Sequence, residues 1–492
     1  MRLAIAGAGA SAVCLLDALA RSADRVDVTV FDPAPAPWRG RPYRCDLPAV
    51  RVNAPPPEMS VRDGDHGHFE RWLDANGGAA EPDPWSGDRF VPRERYGAYL
   101  EAAAAEAIAA IEGAGGTVAL RRCAATGVLR TSEQVVVRTD DGRLQPFDAF
   151  VLCVGVGRPA DLYGLDGATG YVPDPYPALT ALEPVEGDTA VIGSGLTAVD
   201  TVLALAATRS EGRIALVSRS GVLPGVRQRY TPSRLRHFKV DRIRELARRG
   251  PLRLEDLTAL MAAEIAAGGF DAAGVARELS SLGREEPRAR LARHLAMVDD
   301  PDLGLRILQQ AVPETGPDVW PRLDARDREL VLQEHYRTLM SLCCPMPPAS
   351  AATLLSLMDS GRLDVVGGLA DVRPRRGGFT VKAGGRKLQV ATVVNAASAP
   401  RHRVPPAAAP LVDSLVRSGA ARPHPHGGLR IDPATSRAVG RGGPDDRLYV
   451  LGDLAAGTLF FTFGIPSLVD RARDIAASLS LQRRPLATPA NR

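Results

Sequence analysis

Residues 3–12, LAIAGAGASA, and residues 189–198, TAVIGSGLTA, share one pattern, and that pattern decides the fold. Each begins with a short run typical of a buried strand, continues through a turn of spacing G-x-G-x-x-A, and passes into helical periodicity. A second strand follows each helix, over residues 26–31 and 214–217. A strand, a glycine turn, a helix and a second strand form a dinucleotide-binding unit. The sequence therefore predicts two such units in one chain.

The first turn predicts a phosphate cradle at Gly7, Gly9, Ala10 and Ser11. Gly7 permits the tight turn, Gly9 allows the backbone to approach a pyrophosphate, and the helix start offers unpaired N–H groups. The second strand ends at Asp32-Pro33, about 25 residues after Gly7, at the spacing where a carboxylate accepts hydrogen bonds from a ribose diol. This combination indicates a dinucleotide with free ribose hydroxyls.

The second turn repeats the cradle but ends differently. Gly193 and Gly195 take the two glycine positions, and Leu196 and Thr197 open the helix. The following strand ends at Ser218-Arg219, where a guanidinium can bind a 2′-phosphate with two hydrogen bonds. We expect NADPH rather than NADH at this site. The alternative is that Arg219 is a solvated surface residue.

Composition excludes several classes of protein. A chain of 492 residues predicts about three folding units. The 61 basic and 57 acidic residues leave a net charge of +4, which argues against nucleic acid as a partner. Six cysteines without a CxxC or a zinc-type cluster predict a reducing, cytoplasmic setting and no metal site. The apolar run 3–16 imitates a signal peptide, but it is too short to span a membrane, so we expect no membrane partner.

The remaining chain is predicted from periodicity and breaker residues. His424 and His426 could bind a metal ion, but the sequence offers no third ligand beside them. We therefore favour the interpretation that both side chains are solvated. We expect a mainly helical region over residues 225–360, with breaks near Pro251, Pro287 and Pro313. Further expected elements are a helix at 96–112, strands at 363–366, 379–381, 390–394 and 448–451, a proline-rich segment at 400–425, a last helix at 466–481 and a disordered tail after residue 483.

Several motifs outside the two turns resemble one family. They are Gly40-Arg41-Pro42-Tyr43, residues 52–60, 68–73, 90–100, 150–155 and 193–201, and Leu448-Tyr449-Val450-Leu451-Gly452-Asp453. Together they resemble the FAD/NAD(P)-binding flavoproteins with two dinucleotide-binding domains, some of which are amino-acid N-monooxygenases. The resemblance implies an α/β fold with two Rossmann-like domains and an inserted helical substrate region. It divides the chain into FAD-binding parts at 1–158 and 393–483, NADPH-binding parts at 159–224 and 346–392, an insertion at 225–345 and a tail at 484–492.

The resemblance also implies contacts with the two cofactors, FAD and NADPH. Gly452 and Asp453 would bind the ribityl or pyrophosphate region, although Asp453 can instead be read as a cap or turn residue. Gly155 would lie at the crossing between the domains. The loop that carries Asn53, Met59 and Ser60 would run beside the isoalloxazine, with a purely structural Met59 as the alternative. Arg41 and Tyr43 are further expected cofactor contacts.

The activity implied by the resemblance is NADPH-dependent N-hydroxylation of a small amino acid or amine through a flavin hydroperoxide. No catalytic side chain is assigned, because the flavin carries the chemistry. The alternatives are a flavin reductase or dehydrogenase that passes electrons to an organic acceptor without oxygen insertion, and a non-catalytic flavin-binding module. A dithiol relay is not expected, because no cysteine pair has the required spacing.

A basic segment at the start of the insertion gives the candidate substrate residues, Arg229, Tyr230, Arg234 and His237. Three interpretations remain open: a solvated helix face, neutralisation of the NADPH 2′-phosphate, and binding of a substrate carboxylate such as that of an acidic amino acid. The expected partners are this small molecule and O₂. The sequence does not fix the oligomeric state, and a homo-oligomer stays an open alternative.

Overall fold

The computed structural model describes residues 1–22, 24–77, 81–183, 187–208, 212–231, 234–302, 304–397, 404–462 and 464–483. The expected tail at 484–492 lies outside the described residues. The expected final helix is confirmed, and it begins one residue earlier and ends two residues later than predicted. None of the described helices is both long and apolar enough to cross a membrane.

The first third of the chain builds one parallel sheet and a small antiparallel one. Its elements are β1 (Arg2–Ala6), α1 (Ala10–Ala20), β2 (Asp27–Phe31), α2 (His68–Ala75), α3 (Arg93–Gly113), β3 (Thr117–Arg121), β4 (Ala125–Arg130), β5 (Val135–Thr139), β6 (Leu144–Phe147) and β7 (Ala149–Leu152). The second glycine turn lies among β8 (Tyr171–Val172), α4 (Ala178–Ala181), β9 (Thr189–Ile192), α5 (Leu196–Ala207) and β10 (Ile214–Val217).

The expected helical region follows. It contains α6 (Val240–Ala247), α7 (Leu254–Ala267), α8 (Ala273–Ser281), α9 (Pro287–Ala296), α10 (Gly304–Val319), α11 (Ala325–Leu330), α12 (Tyr336–Cys343) and α13 (Pro348–Asp359). The chain then forms β11 (Leu363–Val366), β12 (Asp371–Arg375), β13 (Gly378–Ala383), β14 (Arg386–Val390), β15 (Thr392–Asn395), α14 (Ala409–Ser418), β16 (Arg437–Gly440), β17 (Gly443–Val450), α15 (Ala456–Leu459) and α16 (Ile465–Arg483).

Two parallel sheets organise these elements. The first has six strands in the order β16-β17-β7-β1-β2-β3, with only β16 antiparallel to its neighbour. The second has five parallel strands in the order β11-β10-β9-β15-β8. The first sheet therefore combines strands from both ends of the chain, and the pairing of β15 with β9 places all of residues 392–395 in the second sheet.

Each sheet is covered on both faces, which explains why its central strands are almost wholly apolar. Leu3 and Ile5 of β1 face a layer that includes α1, α3 and α16, whereas Ala4 and Ala6 face α14 and the antiparallel sheet β4-β5-β6. The second sheet repeats this arrangement, with α5 and α13 on one face and the antiparallel sheet β12-β13-β14 on the other. The predicted α/β class with two Rossmann-like units is confirmed.

Helix α10 contradicts the break that was predicted near Pro313. The helix runs through both Pro313 and Pro317. A proline inside a helix removes one N–H donor and crowds the carbonyl four residues earlier. Leu305, Leu308 and Ala311 are nevertheless buried in the core of the insertion, and this packing favours a continuous helix over the local preference for a break.

The single strand predicted at residues 390–394 is also wrong. Strand β14 ends at Val390 and β15 begins at Thr392, because the chain leaves the antiparallel sheet there and enters the parallel one. Ala391 donates its N–H to the Asp188 carbonyl at 2.8 Å, which fixes the crossing. Within the proline-rich segment, α14 was missed by the sequence reasoning.

Candidate functional site

The first glycine turn is fixed by a strand distant in sequence. Gly7 has a φ of +99°, and a Cβ there would lie 2.3 Å from the carbonyl oxygen of Cys153, directly after β7. Its N–H donates to the Phe31 carbonyl at 2.8 Å. Only glycine fits a position with both a left-handed backbone and this close approach. The turn is thereby held at the carboxyl ends of the central strands.

Helix α1 begins without a side-chain cap. Gly9 is the N-cap residue, and Ala10 and Ser11 occupy the first turn without a nearby acidic residue. The first N–H groups of a helix have no partner within the helix, and the macrodipole makes this end positive. The helix start is thus built to bind an anion such as a pyrophosphate.

Asp32 lies where the sequence predicted a ribose ligand, and it also holds the turn together. Its Oδ2 accepts a hydrogen bond from the Ala8 N–H at 2.6 Å, and its Oδ1 accepts one from the Ala34 N–H at 2.7 Å. Each carboxylate oxygen has a second lone pair that can still accept from a hydroxyl. Asp32 is half-buried and the adjacent Pro33 is exposed, so the carboxylate is both oriented and accessible.

The two ends of the chain meet at this turn. Gly452 follows β17 with a φ of +96°, and a Cβ on it would lie 3.0 Å from the Ser11 hydroxyl oxygen. Asp453 comes next and opens a short 3-10 helix. Gly155 has a φ of +67° and faces open space after β7. The structure therefore brings Gly452 and Ser11 together at the start of α1.

The predicted flavin loop is held by core packing and by hydrogen bonds to neighbouring segments. Met59 is 5% exposed and belongs to the core around α1 and α3, as the structural alternative expected. The Ser60 hydroxyl donates to the Asp65 carbonyl at 2.6 Å. The Asn53 carbonyl accepts a hydrogen bond from Arg227 Nε at 2.8 Å. The Ser60 hydroxyl is thus already engaged, while no hydrogen bond of the Asn53 side chain is found among the described residues.

Arg227 joins this loop to the start of the insertion. Besides the Asn53 carbonyl, it binds the Glu58 carboxylate, with Nη1 at 3.1 and 3.2 Å from the two oxygens. The next aromatic residue, Tyr230, is half-buried, and its N–H donates to the Asp88 carboxylate at 3.0 Å. Burial, together with Glu58 and Asp88, raises the pKa of the Tyr230 hydroxyl. Tyr230 therefore lies near two carboxylates, of which Glu58 is paired with Arg227.

Thr462 is a candidate cofactor contact that sequence reasoning missed. It is 3% exposed, and its hydroxyl finds no hydrogen-bond partner among the described residues. It lies two residues before Gly464, just ahead of α16, whose Ile465 shares a core with Met59. A buried hydroxyl is normally paired, so this orphan, close in sequence to a helix that packs in the same core as Met59, is a candidate for contact with a polar ligand group.

Arg41 and Tyr43, predicted as cofactor residues, lie in a polar cluster between the two halves. Arg41 binds both oxygens of Asp174, with its shortest contact at 2.6 Å. The Tyr43 ring packs edge-on against Tyr96 at a centroid distance of 4.7 Å. The Arg41 guanidinium also lies over the Tyr176 ring at 5.0 Å. The Arg41 side chain thus has a defined protein partner.

The centre of the same cluster is a buried ion pair. Arg93 at the start of α3 contacts Asp200 of α5 at 2.7 Å, and the Tyr176 hydroxyl donates to the same carboxylate. Burial raises the pKa of Asp200, against the opposing effect of Arg93. Burial also opposes the charge on Arg93, but Asp200 raises its pKa above the ordinary value. These contacts join α3 of the first half to α5 of the second.

The second glycine turn repeats the geometry of the first. Gly193 has a φ of +122°, and a Cβ there would lie 2.6 Å from the carbonyl oxygen of Ala396, directly after β15. Gly195 caps α5 without a side chain, and a Cβ on it would meet nothing within 4 Å. Leu196 and Thr197 form the first turn of this helix. A second anion-binding helix start therefore faces open space.

The end of β10 is where the two units differ. The Ser218 hydroxyl is buried and accepts a hydrogen bond from the Gly221 N–H at 2.9 Å. Arg219 is exposed, and its guanidinium makes no hydrogen bond or ion pair within the described part of the chain. Arg219 is therefore free to bind an anion, while Ser218 shapes the turn that presents it.

The other candidate substrate residues are placed on the surface of the insertion. The Arg229 guanidinium binds Asp299 at 2.5 and 3.0 Å. His237 is exposed, and its backbone N–H donates to Glu264 at 2.5 Å. Arg234 is exposed and has no side-chain partner among the residues described. Of these residues and Tyr230, only Arg234 combines exposure with a free charge.

His424 is held within a tight loop. Its Nδ1 accepts a hydrogen bond from the His426 N–H at 3.1 Å, and a Cβ on Gly457 would lie 2.5 Å from that same atom. Burial, with help from neighbouring positive groups, lowers the pKa of His424 to about 4. In the described ranges, no group of three His, Cys, Asp or Glu side chains is arranged to hold a metal ion.

Comparisons with known proteins agree with this geometry. Residues 4–157 match a protein family described as FAD-NAD(P)-binding. No curated protein sequence is significantly similar to the chain. The family resemblance and the expected cofactor class, FAD with a nicotinamide nucleotide, are confirmed at the level of this family description.

Three solved structures share the fold over nearly the whole chain. L-lysine 6-monooxygenase from Pseudomonas syringae has a TM-score of 0.61 at 16% identity, over 98% of this chain and 99% of its own. Ornithine N-hydroxylase from Kutzneria sp. 744 has a TM-score of 0.56 at 13% identity, over 98% and 99%. The cadaverine monooxygenase of desferrioxamine biosynthesis from Erwinia amylovora has a TM-score of 0.56 at 13% identity, over 100% and 98%. At such identities, the likeness shows the fold.

Proposed function

We propose that the chain is an NADPH-dependent flavoprotein monooxygenase that hydroxylates the nitrogen of a small amino acid or amine. The reaction consumes one amine, one O₂, one NADPH and one proton, and it yields the hydroxylamine, water and NADP⁺. One oxygen atom enters the N–O bond and the other leaves as water. NADPH supplies the two electrons that reduce this second oxygen atom to water.

One observation carries the proposal. Two glycine turns of matching geometry end differently, the first at the oriented carboxylate of Asp32 and the second at the unpaired guanidinium of Arg219. A carboxylate suits a free ribose diol and a guanidinium suits a 2′-phosphate. Two unlike nucleotides in one chain fit FAD and NADPH. The lysine, ornithine and cadaverine enzymes that share the fold support oxygenation of nitrogen.

The residues of the first half fit FAD. In the proposed complex, the first turn of α1 binds the pyrophosphate, Asp32 holds the adenosine ribose, and Asp453 binds the ribityl region. Asn53 and the orphan hydroxyl of Thr462 are proposed to contact the polar edge of the ring, because neither side chain has a hydrogen-bond partner among the described residues. When bound, FAD accepts the hydride and activates O₂, while the protein orients the reactants and excludes water.

The second half is assigned to NADPH. The first turn of α5 would bind its pyrophosphate, and Arg219 its 2′-phosphate. We assign residues 1–158 and 393–483 to FAD, 159–224 and 346–392 to NADPH, and 225–345 to the substrate, with residues 393–395 of β15 paired in the NADPH sheet. The ion pair Arg93–Asp200 would hold the two halves together.

The substrate is proposed to bind where the insertion meets the flavin loop. Arg227 anchors this contact through the Asn53 carbonyl and Glu58. The Asp88 carboxylate, which accepts from the Tyr230 N–H, is proposed to receive the ammonium group of an amino acid or diamine. Arg229 is engaged by Asp299, so the unpaired Arg234 is the better candidate for a substrate carboxylate.

The test is a product assay on the FAD-loaded enzyme. Aspartate, lysine, ornithine and cadaverine are each incubated with NADPH and O₂, and hydroxylamine formation, NADPH oxidation and hydrogen peroxide release are measured together. We expect one amine to give hydroxylamine in near-stoichiometric ratio to NADPH, with little peroxide. The proposal fails if NADPH oxidation never yields an N–O product. Electron transfer to a quinone or dye without hydroxylamine would instead establish the reductase alternative.

A further inference from the structure

Arg219 alone supplies only part of the positive charge that a 2′-phosphate site needs. A phosphate monoester carries close to two negative charges, and one guanidinium neutralises only one of them. The neighbouring Ser218 hydroxyl is buried, accepts a hydrogen bond from the Gly221 N–H at 2.9 Å, and carries no charge. A second cationic group would therefore have to come from another element.

The helical insertion is fastened to the loop that follows Arg219. The Gly225 N–H donates to the Ser341 carbonyl at 2.7 Å, and the Ser341 hydroxyl donates to the Leu223 carbonyl at 2.8 Å. Arg290 of α9 donates to the same Leu223 carbonyl at 2.9 Å and to the Ser341 hydroxyl at 3.2 Å. Since these groups are buried, the position of α12 relative to this loop is fixed.

Arg337 lies one helical turn before Ser341 on α12. Residues four apart share a helix face, so Arg337 is on the side that meets the loop after β10. Arg337 is exposed, and its guanidinium has no hydrogen bond or carboxylate partner among the described residues. Burial lowers the pKa of Arg337, and the positive charge of Arg219 adds to this effect, so the two guanidinium groups are within electrostatic reach of each other.

We propose that Arg337 and Arg219 together bind the 2′-phosphate of NADPH, so that the insertion completes the nucleotide site of the second half. Two like charges held near each other are unfavourable until an anion lies between them. Binding of the phosphate would relieve this repulsion and add charge-assisted hydrogen bonds from both arginines. The inference rests on the proposed use of NADPH, and it gives the insertion a role besides substrate binding.

The experiment measures binding of two small probes to the FAD-loaded enzyme by calorimetry, without turnover. The probes are 2′,5′-ADP, which carries the 2′-phosphate, and 5′-AMP, which lacks it. We expect Arg337→Ala to weaken binding of 2′,5′-ADP about tenfold and to leave binding of 5′-AMP unchanged, and Arg219→Ala should likewise weaken 2′,5′-ADP alone. Arg337→Lys should recover part of the loss, because it restores the charge without the planar fork.

The matched control is Arg326→Ala, an exposed arginine of α11 in the same insertion. It should bind both probes like the unmodified enzyme. Unchanged 2′,5′-ADP affinity in Arg337→Ala, or an equal loss of both probes, would overturn the role of Arg337. If the unmodified enzyme does not prefer 2′,5′-ADP to 5′-AMP, the proposed NADPH site itself fails, and the inference falls with it.

Discussion

The two glycine turns are nearly the same in backbone and opposite in what they offer a ligand. In both, the first glycine has a positive φ and lies against the carbonyl that follows a neighbouring strand, Cys153 after β7 and Ala396 after β15. The first unit ends at a carboxylate fixed by two N–H donors, and the second ends at an unpaired arginine. In the proposed complex, the backbone of each turn would fix where a nucleotide lies, and the residue at the end of the second strand would select which nucleotide.

The largest expected effect concerns the joint between the halves. Asp200→Ala leaves Arg93 buried without its counter-charge and should lower the free energy of unfolding by about 3–5 kcal/mol. Urea unfolding of the FAD-loaded protein measures this loss. The control is Asp299→Ala, which breaks the exposed pair with Arg229 and should change the free energy of unfolding far less, because solvent screens that pair. Equal losses in the two variants would contradict the account of a buried ion pair.

Substitution of the two glycines tests whether the halves act separately. Gly7→Ala and Gly193→Ala each place a Cβ against a backbone oxygen at a positive φ, with an expected strain of about 2–3 kcal/mol. We expect Gly7→Ala to lose FAD, and Gly193→Ala to keep FAD while losing NADPH binding. Flavin absorbance and nucleotide titration measure the two outcomes.

Gly142→Ala is the matched control for both, because Gly142 has a φ of +80° but faces open space. It should lower stability by about 1 kcal/mol and leave both nucleotides bound. Loss of FAD from Gly193→Ala would show that the two sites are not independent, against the comparison drawn above.

The difference between the strand ends predicts a switch in coenzyme preference. Arg219→Ala should reduce the preference for NADPH over NADH about thirtyfold, which corresponds to about 2 kcal/mol for a charge-assisted contact. The ratio of kcat/KM for the two coenzymes measures it. Asp32→Ala should weaken FAD retention without changing that ratio. A preference that does not move in Arg219→Ala would remove Arg219 from the site.

The smallest effect is a dependence of stability on pH near the C-terminal FAD motif. The folded pKa of His424, about 4, lies below its ordinary value, so the unfolded chain binds the additional proton first. The contribution of His424 to the free energy of unfolding is fully present above about pH 6.5 and is lost as the pH falls towards 4. With allowance for screening by solvent, this loss is about 1 kcal/mol. Thermal unfolding of His424→Asn, which keeps an acceptor for the His426 N–H, should show a flatter profile over this range. An unchanged profile would contradict the assignment.

The sequence predicted what depends on local spacing. Both turns, their helices and the ends of their second strands follow from short motifs, because each glycine and each end residue acts within its own strand–turn–helix unit. The class of fold followed from two such units in one chain.

Contacts between segments distant in the chain could not be predicted from the sequence. The pairing of Arg41 with Asp174, separated by 133 positions, appears only when the two sheets are placed side by side. The continuous helix through Pro313 depends on burial in the insertion, which outweighs the local preference for a break. Thr462 and Arg337 belong to no recognisable sequence motif, so only their surroundings in the structure identify them as candidate site residues.

The most direct test of two unlike nucleotide sites is an anaerobic titration of the FAD-loaded protein, followed by flavin absorbance. The account predicts about one FAD per chain and bleaching by NADPH at concentrations where NADH has little effect, with this difference lost in Arg219→Ala. A protein that takes up no flavin, or whose flavin NADPH and NADH reduce equally well, would contradict it.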